Sequence, residues 1–453
     1  MKLRAIQLFG YAAGDMGNNL VFSMGSMFLL LYYTDVAGIP AAAAGTIFLV
    51  VRIWDGIADL VAGRLVDKTS SRWGKFRPWL LWGSGPLLLL NVAAFAVPEW
   101  GLAGKVVYAG VTYAAAGTAY SLVNIPYGSL AAAMTQDPVE RSKLASARSM
   151  GSAVTILLLS LVVSPQVKNS GDLQQDLLVT TASLVVVGGA MYLFAFRTSR
   201  EVVPREARRI GLRESLVTLR RNRPLVLLCA SSLVFLIAMF SLQTIGIYYA
   251  RDVLGDATYY VAITAAQMGC MFLLAPAVPR IVRRFGKKSG YVGAGIVMIA
   301  GSFGAMFAPA SLPWLALGSF VVIGAGLGLM NTLTWSLEAD TVEYGEWTTG
   351  VRMEGATYAV FSFVRKLGQA LGGGAAAYTI GLSSYVGGAA QQSESAEWGI
   401  RAAAGIVPAG CVLVAIAIML AYPLTERRFR EITEQVRLRR GEQDTSSSAV
   451  AES

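Results

Sequence analysis

The stretch Arg52–Asp59, RIWDGIAD, lies inside an apolar run, with AAAAGTIFLVV before it and LVAG after it. A helix through this run is long enough to cross a bilayer, yet it carries one arginine and two aspartates in close succession. Charged side chains inside a membrane are costly, and they mark ion or substrate sites. The stretch therefore predicts a membrane helix with a binding function.

The whole chain has the composition of a polytopic membrane protein. Of its 453 residues, 55% are hydrophobic and only 15% are charged, which excludes a water-soluble chain with one ordinary core. Apolar segments of about 20 residues recur from end to end. We predict an all-α membrane protein with twelve spans, near 11–33, 41–66, 79–97, 106–130, 149–164, 177–196, 225–249, 260–278, 289–307, 314–337, 356–382 and 400–422.

The net charge of +10 is explained by topology. Most of the 38 lysine and arginine residues fall in the N-terminus, in the loops after even-numbered spans and in the C-terminal tail. The positive-inside rule then predicts that both termini are cytoplasmic, and it accounts for the basic balance without nucleic acid. The chain has no histidine, which excludes histidine catalysis and histidine metal ligands, and its three cysteines lie in apolar segments without a disulfide or metal pattern.

Repeated motifs indicate that the chain consists of two related halves. RWGK at 72–75 is echoed by RFGK at 284–287, and DPVER at 137–141 resembles DTVEY at 340–344, each in a loop at the equivalent position. In membrane proteins, repeats of this kind place a binding site near the bilayer midplane, between the halves. The predicted division is a first half at 1–196, a basic cytoplasmic loop at 197–224, a second half at 225–422 and a cytoplasmic tail at 423–453.

The charges of the second span are expected to share one face of its helix. At 100° per residue, Arg52, Asp55, Gly56, Asp59 and Gly63 fall on one stripe. Because glycine permits close approach, we expect this stripe to face the protein interior, where two carboxylates can hold a cation or a proton. The alternative is an inert ion-pair network of the arginine with both acids.

Polar side chains recur at helical spacing in four other spans. Interhelical hydrogen bonds are the alternative interpretation for the first span, and plain packing is the alternative for Trp335 in the tenth. Arg365 and Lys366 are adjacent cations well inside the eleventh span, and they require an anion, a cavity or a route to the interface. The polar positions are Asp15, Asn18, Asn19, Ser121, Asn124, Asn331, Thr334, Trp335, Glu338, Arg365, Lys366 and Gln369.

Several motifs in fixed order carry a family resemblance. YYTDVAG, RIWDGIAD, RWGKFRPWLL, YSLVNIPYGSLAAAMTQDPVER, NRPL, EADTVEYGEWTTGVRMEG and FSFVRKLGQALGG together resemble the glycoside–pentoside–hexuronide:cation symporters, a branch of the major facilitator superfamily. The likeness runs the full length, and it is greatest to the glucuronide carriers of that family and weaker to its melibiose carriers. It implies a major facilitator fold of two six-helix halves, located in a bacterial cytoplasmic membrane. It also implies cation-coupled symport of a glycoside by alternating access, without enzyme activity or cofactor.

The resemblance also implies roles for individual residues. By similarity to the melibiose carriers, Asp55, Asp59 and Ser121 form the site of the coupling cation, H⁺ or Na⁺. Lys366 matches a lysine near both the cation and sugar sites, and Arg148 matches a sugar-site arginine.

Departures from the family pattern bear on the substrate and on the ion. Asn19 and Asn124 replace two sugar-binding aspartates, and Asn18 replaces a lysine, which favours an anionic sugar such as a β-glucuronide. Ala58 replaces an asparagine of the cation site, and the loss of one oxygen ligand favours H⁺ over Na⁺. The predicted substrate-binding residues are Asn18, Asn19, Asn124, Arg148, Trp335, Arg365 and Lys366.

The sequence also suggests gating residues, partners and alternative functions. Arg52, Arg72 and Arg284 are predicted to act in gating. The partners expected are a small-molecule glycoside, a coupling cation and the lipid bilayer, with no nucleic acid; a monomer can suffice. The alternatives are a symporter of neutral glycosides or pentosides, a lipid or lysolipid transporter on the same fold, a membrane enzyme and a sensor that does not transport.

Overall fold

The computed structural model describes residues 3–135, 137–169, 171–202, 222–350, 354–389, 391–436 and 438, and the regular structure of these residues is helical. A helical stretch at 426–436 follows the last long helix. The numbered helices are α1 Ala5–Leu31, α2 Ala41–Lys68, α3 Arg77–Trp82, α4 Ser84–Ala94, α5 Leu102–Met134, α6 Pro138–Asn169, α7 Leu173–Thr198, α8 Arg223–Tyr248, α9 Tyr259–Leu274, α10 Val278–Phe285, α11 Lys287–Phe307, α12 Pro313–Thr349, α13 Glu354–Leu382, α14 Glu394–Ala404 and α15 Ile406–Leu420.

Each of the twelve predicted apolar segments coincides with a helix or with two consecutive helices. Within the described residues, eight helical segments are long and apolar enough to cross a membrane, or nine if α9 and α10, bent by 60°, form one span. Helix α1 is long enough, but Asp15, Asn18 and Asn19 lower its hydropathy. The chain is therefore multi-pass, and the count of twelve spans stays a prediction.

The helices pack in two groups. In the first group, α1 packs against α6 and α7, and α2 packs against α5. In the second group, α8 packs against α13 and α15, and α11 packs against α12. The contacts α1–α8, α2–α13 and α6–α9 join the groups. The predicted loop between the halves lies largely at 203–221, outside the described residues.

Two short π-helical turns occupy equivalent places in the two groups. One, Tyr32–Val36, continues α1, and the other, Tyr249–Val253, continues α8. In both, the residue after the turn donates its amide to the carbonyl of the first tyrosine, at N···O distances of 2.9 and 3.1 Å. Gly38 and Gly255 follow with φ of 68° and 76°, values that a residue without a Cβ adopts readily. The turns are a third echo between the halves, which the motif search missed.

The RWGK and RFGK loops are each bound by a glutamate that follows the last span of the same group. Glu201, after α7, accepts hydrogen bonds from the amides of residues 75–77 at 2.8, 2.8 and 3.0 Å. Glu426, after α15, accepts one from the amide of Lys287 at 3.1 Å. These contacts tie the end of each group to its RWGK or RFGK motif, and in the second group that motif spans the end of α10 and the start of α11.

Candidate functional site

The charged face of α2 is in contact with α5. Arg52 Nη1 lies 3.2 Å from Asp55 Oδ2, and Arg52 Nη2 donates to the Tyr113 hydroxyl at 3.0 Å. Asp55 Oδ1 packs against the backbone of Gly117, where an added Cβ would lie only 2.1 Å from that oxygen. The close approach therefore depends on a glycine of α5. No described atom comes within 4 Å of a Cβ built at Gly56 or Gly63, so these two glycines do not serve the close approach of another described helix.

Asp59 makes an ion pair that joins the two groups of helices. Lys366 Nζ of α13 donates to Asp59 Oδ2 of α2. The other oxygen of each acid, Asp55 Oδ1 and Asp59 Oδ1, is buried without a hydrogen-bond partner among the described residues. Both acids can therefore accept a proton or a cation at an oxygen that the protein has not satisfied.

A cavity between the groups brings most of the predicted cation site together. Arg52, Asp55, Ser121 and Lys366 line it, so its wall carries charges of both signs. Ser121 Oγ donates to the Gly117 carbonyl at 3.1 Å. The other lining residues are Val21, Phe22, Gly25, Leu29, Asn91, Ala94, Phe95, Tyr113, Ala116, Gly117, Tyr120 and Gln369.

A second polar cluster joins α1 to α6. Arg148 Nε donates to Asp15 Oδ1 at 2.8 Å, and Asn19 Nδ2 donates to Asp15 Oδ2 at 2.8 Å. Ser152 Oγ contacts the same Asp15 oxygen and accepts from Asn19 Nδ2 at 3.0 Å. Two of the predicted substrate residues, Asn19 and Arg148, are thus held by one carboxylate.

The other two predicted asparagines lie elsewhere. Asn18 is 1% exposed and accepts a hydrogen bond from the Tyr192 hydroxyl at 2.8 Å, so its side chain forms an α1–α7 contact. Of the predicted substrate residues, Lys366 lines the cavity, whereas Asn18, Asn19, Asn124 and Arg148 do not. Asn124 is partly exposed on α5, about one turn beyond Ser121.

The cations of α13 have different neighbours. The guanidinium of Arg365 lies over the Trp335 ring, with Cζ 4.9 Å from the ring centroid. Trp335 also packs edge-on against Phe361, with ring centroids 5.3 Å apart. Trp335 is therefore a packing residue that also supports a cation, while Lys366 contacts Asp59 on α2.

The predicted gating residues fall in two environments. Arg72 and Arg284 are exposed and lie over their neighbouring aromatic rings, with Cζ 4.5 Å from the Trp73 ring and 5.3 Å from the Phe285 ring. Arg52 lies midway along α2, at the cavity. Gating by these arginines stays a prediction.

A further charged cluster joins the groups where α1, α8 and α13 end. We call it the Asp35 cluster: Asp35, Tyr248, Arg251, Asp252 and Tyr385. Arg251 Nη1 lies 2.8 Å from Asp35 Oδ1, and Arg251 Nε lies 2.7 Å from Asp252 Oδ1. The Tyr385 hydroxyl donates to Asp35 at 2.9 Å and accepts from Arg251 at 2.5 Å. The ring of Tyr248 packs edge-on against Tyr385.

Sequence reasoning missed several of these residues. The sequence pattern assigns no role to Asp15, and the predicted polar positions do not include Asn91, an isolated amide within LLLLNVAAF. Asn91 lines the cavity, is 4% exposed, and its Nδ2 has no partner among the described residues. A single amide in an apolar run is a signal that could have found it, because a buried polar group requires a partner.

Comparisons with known proteins identify the family of the chain. Residues 10–426 match the family described as MFS/sugar transport protein, where MFS is the major facilitator superfamily. The chain belongs to that family. As a member of the MFS sugar transport family, it is a membrane transporter and not an enzyme, and the predicted resemblance is confirmed.

Curated relatives cover nearly the whole chain. It is 43% identical over 435 residues to the glucuronide carrier protein homolog of Escherichia coli K12, covering 95% of this chain and 94% of that protein. It is 33% identical to the uncharacterized symporter YnaJ of Bacillus subtilis, covering 96% and 95%. Among solved structures, an inward-facing bacterial homolog of the lysosomal transporter Spinster superposes with a TM-score of 0.67 at 11% identity, covering 94% of this chain and 97% of that chain. This last likeness shows the fold alone.

Proposed function

We propose that the protein is a cation-coupled symporter that imports a glycoside, most favourably a β-glucuronide, across the bacterial cytoplasmic membrane. The proposal includes twelve spans, cytoplasmic termini and an Asp35 cluster on the outer side, as the distribution of basic residues predicts. The observation that most supports coupling is the ion pair of Lys366 with Asp59. It joins a residue predicted to bind the substrate to a residue predicted to bind the coupling cation.

The ion pair gives a physical reason for coupling. While Asp59 is ionised and without a cation, it holds Lys366 and keeps the ammonium from another anion. A proton or Na⁺ on Asp59 neutralises the carboxylate, which weakens the pair and releases Lys366 to attract a sugar carboxylate. Sugar and cation then bind cooperatively, and each raises the affinity for the other by the same factor.

The charges around the site support an anionic substrate. Arg148, Arg365 and Lys366 can supply charge-assisted hydrogen bonds to a carboxylate, and Asn19 and Asn124 bring no repelling charge. The name of the Escherichia coli relative, a glucuronide carrier homolog, supports the same substrate class. A cavity wall with Arg52, Asp55 and Lys366 favours a sugar over a lipid tail.

The favoured coupling ion is H⁺. Sodium requires several oxygen ligands, and Ala58 offers no side-chain oxygen on the face where the family pattern has an asparagine. A proton requires only one carboxylate oxygen, and Asp55 and Asp59 each have one without a described partner. Both predicted sites lie within one chain, so a monomer can suffice.

Uptake into proteoliposomes tests the proposal. A labelled glucuronide and the matching neutral glucoside are offered with an imposed proton gradient, a sodium gradient or neither. We expect the glucuronide to accumulate on the proton gradient and the glucoside to be a poor substrate. Equal accumulation of both sugars would contradict the substrate class, and uptake that follows only the sodium gradient would contradict the ion.

Lys366→Gln tests the role of the ammonium in the same assay. We expect glucuronide affinity to fall about ten- to a hundredfold, because a charge-assisted hydrogen bond contributes roughly 1.5–3 kcal/mol. Affinity for the glucoside should change little. If both sugars lose equally, Lys366 acts on the cation site and does not recognise the sugar acid.

A further inference from the structure

Asp15 is a buried carboxylate for which the proposed transport cycle has no role so far. It is 1% exposed and lies on α1, one turn before Asn19. Its two oxygens receive Arg148 Nε, Asn19 Nδ2 and Ser152 Oγ. Three donors from α1 and α6 therefore converge on a single anion inside the membrane-embedded part of the chain.

The pair that Asp15 forms with Arg148 is asymmetric. The side chain of Asp15 is 2% exposed, whereas that of Arg148 is 40% exposed. The Asp15 carboxylate is thus shielded from solvent, whereas the Arg148 guanidinium is accessible to solvent or to a ligand. A buried carboxylate is tolerated when a cation and hydrogen bonds satisfy it, and Arg148 supplies that cation here.

The guanidinium is fixed from two sides. Asp15 binds Nε, and the Tyr127 ring lies beneath, with Arg148 Cζ 5.5 Å from its centroid. Tyr127 is itself held, because its hydroxyl donates to the Tyr11 carbonyl at 2.7 Å and its ring stacks on that of Tyr11. Gly14 makes room for it, since a Cβ there would lie 2.7 Å from the Tyr127 ring. Gly14 and Asp15, consecutive residues of α1, therefore set these two contacts of Arg148.

Asp15 also determines the orientation of the Asn19 side-chain amide. An ionised carboxylate only accepts hydrogen bonds, so Asn19 must turn its NH₂ group towards Asp15. That nitrogen is further engaged by Ser152 Oγ and the Asp15 carbonyl, at 3.0 and 2.9 Å. The carbonyl oxygen of Asn19 therefore points away from the acid, where it can accept from a hydroxyl.

We propose that Asp15 is a positioning residue of the substrate site, which holds Arg148 ready for a sugar carboxylate and Asn19 ready for a sugar hydroxyl. This rests on the proposed function, because the ligand is taken to be a hydroxylated anion. The carboxylate acts through its neighbours and does not touch the sugar. Its removal should therefore affect the anionic sugar more than the neutral one.

The test is a double-mutant cycle with Asp15→Asn and Arg148→Gln, read out by binding of the matched glucuronide and glucoside. Asp15→Asn keeps the shape and removes the charge, and we expect it to weaken the glucuronide about tenfold and the glucoside about threefold or less. In the Arg148→Gln background the same change should weaken the glucuronide only about threefold or less, because the part of the effect that acts through Arg148 is already lost and only the part through Asn19 remains. Additive losses, or equal losses for both sugars, would overturn the proposal.

Two further variants separate positioning from folding. Glu140→Gln is the matched control, because Glu140 binds Lys143 Nζ and the Leu3 amide, and so also joins the start of α1 to α6, but at the helix ends. It should leave the ratio of the two affinities unchanged. If Asp15→Asn does not fold, Arg148→Lys keeps the charge and leaves Asp15 with a cation. We expect this variant to lose the preference for glucuronide over glucoside, because a guanidinium can bind Asp15 through Nε and a sugar carboxylate through its other nitrogens, whereas lysine has a single ammonium group. A retained preference would contradict the proposal that Asp15 positions Arg148.

The two proposals can fail separately. If the wild-type protein binds glucuronide and glucoside equally, the proposed substrate class is wrong. The cycle is then repeated with the sugar that the protein does transport, and coupling between Asp15 and Arg148 is still measured. Additive effects there would overturn the role of Asp15 independently of the substrate class.

Discussion

At the scale of single residues, sequence spacing predicted the arginine and acids of α2 but not the partners that give them a role. Arg52 and Asp55 pair at three-residue spacing within one helix, which a helical periodicity reveals. Lys366 lies 307 positions from Asp59, and Arg148 lies 133 from Asp15. Such pairs are set by packing between distant helices, so their assignment required the structure.

Asp59→Asn tests the proposed exchange, in which the Lys366 ammonium leaves the Asp59 carboxylate and binds the carboxylate of the sugar. In the wild-type protein, the Asp59 carboxylate holds Lys366 and competes with a sugar carboxylate for the ammonium. The amide carries no charge to hold the ammonium, so the variant should bind glucuronide more tightly than the wild type while losing accumulation against a gradient. Binding by titration calorimetry, together with uptake and exchange assays in proteoliposomes, measures both.

Asp55→Asn is the matched comparison, because Asp55 pairs with Arg52 and leaves the ion pair of Lys366 with Asp59 in place. It should also lose accumulation, but its affinity for glucuronide should stay close to that of the wild type. Normal accumulation by the Asp59 variant, or a glucuronide affinity no higher than that of the wild type, would contradict the exchange.

At the scale of helices and loops, the apolar runs predicted where helices lie, but not where they break or end. The third and twelfth segments are divided near Gly83 and Gly405, and α9 bends at 275–277, next to Pro276. Helix α12 continues to Thr349, well past its apolar run, because backbone hydrogen bonds do not stop where hydrophobic side chains do. Hydropathy therefore predicts which part of a helix lies in the membrane core, and it does not predict where the helix ends.

The bond between Glu201 and the RWGK loop should stabilise the first group of helices. Glu201→Gln keeps the size but removes the charge that three amides share, and we expect a loss of about 1–3 kcal/mol in unfolding free energy. The readout is the melting temperature of the purified protein in detergent. Glu426→Gln should cost less, because Glu426 receives one amide in the equivalent loop.

Exposed Glu99 provides the control for loss of an acid, and Glu99→Gln should leave the melting temperature unchanged. A melting temperature of the Glu201 variant equal to that of the control would mean that the loop is held by other contacts.

At the scale of the whole molecule, the motif echoes indicated an internal repeat, and the paired π-helical turns add a third instance. YYTDVAG and YYARDVLG continue α1 and α8, and the two turns meet at the Asp35 cluster. Aligned at the turns, which are of equal length, the two segments share the pattern Tyr-x-x-Asp-Val-x-Gly, at 32–38 and 249–255. Because only four of these seven positions are identical, the equivalence is clearer from the backbone hydrogen bonds than from the sequence.

Arg251→Gln should open the end of the molecule that the Asp35 cluster closes. Arg251 connects Asp35 of the first group with Asp252 and Tyr385 of the second, and its loss should shift the equilibrium between closed and open states about ten- to a hundredfold towards open. The readout is labelling of a cysteine at Gln369, a cavity-lining position, by a membrane-impermeant maleimide added outside, in a variant without the three native cysteines.

Arg401→Gln is the matched control, because Arg401 lies at the same end but donates to the Met306 and Ala308 carbonyls of its own group at 3.1 and 2.6 Å. It should leave the labelling rate unchanged. If both variants label alike, a general loosening of that end is the cause. If neither labels faster than the parent, the Asp35 cluster does not hold the groups together, and the closure rests on the packing of α1 on α8 and α2 on α13.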